Sequence, residues 1–166
     1  MVSATALHSL PQDQLALAYS QETRELYRYR GLTLCFLPFD LPVSRLMSAI
    51  GMECEHRLFS LQEVAKQMEL VLPSTISQQR KASFLTKNSR HFFVVDEHMG
   101  RQVLLDAEEA AEATYTLFSR LSETNATPEL QHLLSTFVTQ KYSEYRVVKE
   151  CREQWKIALY ALGCAS

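Results

Sequence analysis

A chain of 166 residues supports one domain with a real core and is short for two of ordinary size. Apolar residues at 46% and charged residues at 22% are globular proportions, and four Gly with five Pro are too few turn formers for an all-β chain. A net charge of −2 gives no basic field for nucleic acid, and no apolar run approaches the length that spans a membrane.

The remaining composition is plain. Cys35, Cys54, Cys151 and Cys164 form no CxxC pair and no zinc-type spacing. The opening MVSATALHSLPQDQ has neither a basic n-region nor an apolar h-region, so no signal peptide is expected. Reduced thiols in a cytoplasm are the expectation.

In chain order, the apolar periodicity predicts four long helices, about 12–31, 42–70, 96–122 and 128–162. Pro11 sits where a helix opens. A compact apolar link, LTLCFLPFDLP, turns the chain into the second helix. A stretch of weak periodicity, 72–95, leads to the third. ETNATPEL is a short turn with Thr127 as N-cap and Pro128 at the first helical position. The short–long–short pattern of connections predicts two antiparallel hairpins joined by a crossover that carries the chain back along the bundle. All of 1–166 is expected to be this one all-α domain.

The inward faces are more telling. The fourth helix has a stripe Leu130, Leu134, Phe137, Lys141, Glu144, Val148, Cys151, Trp155, stepping by three and four and so sharing one face. The third gives Leu104, Glu108, Ala111, Tyr115, Phe118; the first gives Leu15, Ala18, Glu22, Leu26, Tyr29; the second gives Leu46, Ala49, Glu53, His56. Each predicted stripe carries ionisable groups, and an isolated buried charge costs several kcal/mol unless it is paired or metal-bound. Counting back from the turns places Glu22 beside Glu53 and Glu108 beside Glu144, in one layer across the bundle.

At these residues the sequence resembles the rubrerythrin-like branch of the ferritin-like superfamily. The family pattern is a Glu on the first and third helices and Glu-x-x-His on the second and fourth. Here the first half reads Glu22, then Glu53-Cys54-Glu55-His56; the second half reads Glu108, then Lys141-Tyr142-Ser143-Glu144. The second half departs from the pattern, with Lys141 in place of a bridging Glu and Glu144 in place of the His. The resemblance implies a ferritin-like four-helix bundle with an iron or manganese site, ligands Glu22, Glu53, His56, Glu108 and Glu144, and oxidative chemistry on O2, peroxide or a small molecule, or iron handling. Lys141, Tyr29 and Tyr115 are the candidate catalytic groups, although tyrosines at such positions are more often core aromatics than redox or hydrogen-bonding partners. It also implies a homodimer, and the apolar link Leu34–Leu41 is expected to be covered by a second subunit or by the crossover.

Charge decides how many ions such a site would hold. Four carboxylates and one ammonium sum to −3, which suits one divalent ion better than two. Two other readings answer the same residues. One is a non-enzymatic bundle whose core is metal-free, with Glu22 and Glu108 paired to Lys141, acting through dimerisation or a partner. The other is a helical module whose inward groups hold an organic ligand.

Overall fold

The computed structural model describes residues 10–73 and 92–163, with the backbone alone from 156 onward. Four α-helices and no strand are found among these residues: α1 Pro11–Phe36, α2 Leu41–Gln67, α3 Glu97–Thr124 and α4 Pro128–Gly163. No helix among them is long and apolar enough to cross a membrane.

Local chemistry sets the boundaries. Pro11 opens α1, where its missing N–H costs nothing. The helix runs five residues beyond the predicted end at Gly31. One Gly costs a helix only about 1 kcal/mol, and Leu32, Cys35 and Phe36 just past it are all buried. Asp40 caps α2, accepting from the Val43 N–H at 3.0 Å, and Asp96 caps α3, accepting from Met99 N–H at 2.7 Å. At the other end, α2 stops at Gln67, three residues short of the expectation. The Leu70 N–H donates to Ala65 O at 2.8 Å and the Glu69 N–H to Lys66 O at 3.2 Å, with Glu69 at φ 54°. That is a Schellman ending with a glutamate in the left-handed position that glycine usually fills.

The helices pair as two hairpins, α1 with α2 and α3 with α4; α1 also meets α3, and α2 meets α4. One end of the bundle is fixed by Trp155 near the end of α4, whose ring packs edge-on against Phe36 at 5.8 Å and beside Phe39 at 6.0 Å. Its Nε1–H donates to Glu97 O at the start of α3, and the Val94 N–H donates to Cys35 O. The opposite end joins Gln12 to Val71, whose N–H donates to the Gln12 carboxamide at 3.1 Å. Both α2 and α3 therefore begin at the Trp155 end; residues 74–91 of the expected 72–95 crossover lie outside the described residues.

The apolar core is in two halves. Toward the Trp155 end lie Leu26, Tyr29, Phe36, Met47, Cys54, Leu104 and Val148; toward the other lie Leu15, Ala18, Leu61, Phe118, Leu130, Leu134 and Phe137. Each Leu, Met, Phe or Val among them removed from water contributes about 2 kcal/mol. Between the halves, at the level of Glu22, Arg57 and Lys141, the core turns polar.

The candidate site: a buried ionic cluster between two apolar halves

Glu22 follows Ala18 by one turn of α1 and precedes Leu26 by another, so it inherits an inward direction from its apolar neighbours. Arg57 stands likewise between Cys54 and Leu61 on α2, and Lys141 and Glu144 between Phe137 and Val148 on α4. All four side chains are buried, Glu22 wholly so and Glu144 the most accessible at 7%.

They form a closed square. The Arg57 guanidinium donates through Nε to Glu22 Oε1 at 2.7 Å and through Nη2 to Glu144 Oε2 at 2.6 Å. Lys141 Nζ lies 2.9 Å from Glu22 Oε2 and 3.4 Å from Glu144 Oε2. Each cation thus touches both carboxylates, and the four formal charges cancel. The Phe118 ring of α3 flanks the ammonium, 5.8 Å from Nζ to the ring centre, so all four helices meet the cluster. Burial pulls the pKa of Lys141 down, but the Glu22 and Glu144 carboxylates outweigh it and raise the net value. Arg57 is shifted upward by the same two partners. Both side chains are cations at any physiological pH.

Three more buried groups border the square. Glu25, wholly buried on α1, accepts from Gln21 Nε2 at 3.3 Å and pairs with Arg28. Burial raises its pKa in spite of Arg28. The Tyr29 hydroxyl is buried without a hydrogen-bond partner of normal geometry; burial and the carboxylates of Glu144 and Glu25 push its pKa well up. The Cys54 thiol receives Arg57 Nη2 at 3.4 Å, and its pKa too is raised by burial. Cys35, Cys54 and Cys151 are free thiols; Cys164 lies outside the described residues.

Of the residues that the sequence nominates, Glu22, Lys141, Glu144 and Tyr29 come together. Four do not. Glu53 and His56 stay out of the core, their side chains 59% and 70% exposed and 3.8 Å apart, along a groove that α2 forms with Glu129 and His132 of α4. The buried face of α2 is Met47, Ile50, Cys54, Arg57, Leu61 and Ala65, one residue and so about 100° round from the expected stripe. Glu108 is likewise turned outward, half-buried and paired with Arg152 of α4, while Ala107 takes the interior position. Tyr115, also half-buried, stacks 5.3 Å from Tyr142, with Thr114 interior in its place. Arg57 is the residue that sequence reasoning missed, and the signal for it was present. The stripe Met47 to Ala65 is longer and more apolar than the one through Glu53 and His56, and it carries Arg57 inside.

An iron or manganese ion does not fit these residues. Glu22 and Glu144, the two nominated ligands in the core, already hold both cations. The only nominated imidazole is on the surface, and among the described residues no group of three or more His, Cys, Asp or Glu is arranged to hold a metal ion. The expected ligand set is not brought together, because α2 and α3 are rotated about their axes relative to the reading that placed Glu53, His56 and Glu108 inside.

Comparison with protein-family models, with curated proteins and with solved structures finds no match to this chain. Fold and site define its class: an all-helical four-helix bundle with a buried, charge-balanced cluster at its centre.

Proposed function

We propose that this chain works by association and not by chemistry, as a non-enzymatic helical bundle of ferritin-like connectivity that pairs with a second copy of itself. The observation that carries this reading is the apolar end of the bundle. Leu34 at the end of α1, Leu37 and Phe39 of the link, and Leu41 at the start of α2 are 40–51% exposed, and Phe93 and Val95 beside them are 49% and 54% exposed. The Val94 N–H bond to Cys35 O joins these two segments into one patch. Single exposed apolar residues need no explanation, but a contiguous group marks a contact surface. An apolar patch is complementary to itself, as the two-fold interface of a homodimer requires.

The closed core supports the same reading. Catalysis needs a reactive group that a substrate can reach, and each charged group of the square is already bonded to protein and at most 7% exposed. The nominated O2 or peroxide chemistry, with Lys141, Tyr29 and Tyr115 as catalytic groups, has no accessible centre in the square to act upon.

The test is the mass in solution, by sedimentation or light scattering at micromolar concentration. The expected result is twice the 19.0 kDa of the chain, falling to the monomer in Leu37→Asp. A monomeric wild type overturns the proposal, and so does a dimer that survives both Leu37→Asp and Leu34→Asp.

A further inference from the structure

Two carboxylates facing each other in an apolar core cannot stay ionised without cations between them. Glu22 and Glu144 come from helices on opposite corners of the bundle, α1 and α4, which share no extensive contact. What lies between them is the Arg57 guanidinium at 2.7 and 2.6 Å and the Lys141 ammonium at 2.9 and 3.4 Å. Both cations bridge both anions. A pair of divalent ions shared by carboxylates has the same pattern of connections. The two side-chain cations differ in being covalently part of the chain and in supplying one charge each, enough for two carboxylates where two divalent ions would need four.

We infer that Arg57 and Lys141 together hold Glu22 and Glu144 at the centre of this bundle in the way a bound metal pair could, so that the fold is held by charge balance within the chain and is indifferent to metal. The inference is independent of self-association, since it concerns the core of one chain. Arg57 is a positioning residue here, and its planar fork suits the task. The Nε and Nη2 donors point in different directions, one to α1 and one to α4, which an ammonium could match only by moving. Lys141 closes the square from the other side, fully buried, with the Phe118 ring 5.8 Å away where other partners would be.

The experiment is thermal unfolding of the full chain, followed by circular dichroism, with and without chelator and with added Mn2+ or Zn2+. Wild type should keep its Tm within about 2 °C in all conditions, since a ligand that does not bind the native state cannot shift its unfolding. Lys141→Met leaves two buried carboxylates sharing one guanidinium and should lower Tm by on the order of 10 °C. Adding Glu22→Gln to that variant removes the surplus negative charge and should recover at least half of the loss. If Lys141→Met does not fold, the double variant decides, because its core is neutral again: a folded double variant supports the inference and an unfolded one overturns it. A wild-type Tm that rises by more than about 5 °C with Mn2+ or Zn2+, an unchanged Tm in Lys141→Met, or the absence of rescue by Glu22→Gln each overturns it as well.

Discussion

Lys141 on α4 reaches Glu22 on α1 across the diagonal of the bundle, with Nζ 2.9 Å from Oε2, although their helices are not neighbours in the packing. Arg57 closes the same diagonal from α2. The cluster therefore ties three helices at mid-height, where the flanking apolar halves could otherwise slide or rotate with little penalty. Buried ion pairs are weak sources of net stability but strong selectors against alternatives, because any displaced arrangement strands a charge.

That view makes Arg57→Lys informative. The substitution keeps the charge and shortens the reach, so one of the two carboxylates loses its hydrogen bond at 2.6–2.7 Å. A loss of about 2–3 kcal/mol is expected in urea unfolding. A loss under about 0.5 kcal/mol would mean that position 57 contributes only charge, and that the fork geometry is irrelevant.

Glu25 gives a pH signature. Burial raises its carboxyl pKa above the ordinary 4.5, so the folded chain holds that proton more tightly than the unfolded one. The stability it contributes is complete below about 4.5 and is lost as pH rises through the folded value. In Glu25→Gln this component is absent. The stability difference between wild type and variant should therefore decline with rising pH above 4.5 and level off once the folded carboxyl has titrated. A difference that is flat from pH 4 to 8, or one that grows with pH, contradicts the assignment.

Gly100 and Trp155 make a third prediction. A Cβ built on Gly100 would lie 2.5 Å from the indole ring, and that ring is held on three sides, by Phe36, by Phe39 and by the hydrogen bond from Nε1 to Glu97 O. Gly100→Ala gains helix propensity, worth about 1 kcal/mol, yet the clash should outweigh it and leave a net loss of about 1–2 kcal/mol. Trp155→Leu frees the space, so in that background Gly100→Ala should be neutral or stabilising. Additive effects of the two changes would show that the ring simply moves aside.

How far the sequence reaches can be seen helix by helix. The stripe of α4 from Leu130 to Trp155 is correct at each position through Val148, because its apolar residues are large and regularly spaced. The stripe of α1 is correct as well, including the buried Glu22. In α3, Leu104, Ala111 and Phe118 are interior as expected, but Ala107 and Thr114 displace Glu108 and Tyr115. Small residues mark a helix face poorly, since Ala is at home inside and out. In α2 the misreading has another cause: a four-residue Glu-x-x-His pattern outweighed a longer stripe that is apolar except for Arg57. The pairing of the helices into two hairpins was legible from the short links within each pair. The pairing of Arg57 with Glu144 was not, because nothing in a sequence states which two helices a buried cation will join.

The rotation of α2 can be tested without a structure. If Glu53 and His56 were inside, replacing both by Ala would remove buried polar groups and their partners, at a cost of several kcal/mol. In the register found here both side chains are largely in solvent, and their mutual contact at 3.8 Å is an exposed pair of the kind that contributes little. Glu53→Ala with His56→Ala should accordingly change stability by no more than about 0.5 kcal/mol, with a slight gain from the higher helix propensity of Ala. Cys54, between them in sequence, should behave in the opposite way. It is wholly buried, so its thiol should stay unreactive toward a disulfide reagent in the folded chain and react fully once the chain is unfolded. One outcome contradicts the register directly: a strongly destabilised Glu53→Ala/His56→Ala variant together with a Cys54 thiol that reacts at once in the native protein. That result would turn α2 back by about 100°, take Arg57 out of the core, and leave Glu22 and Glu144 with Lys141 alone.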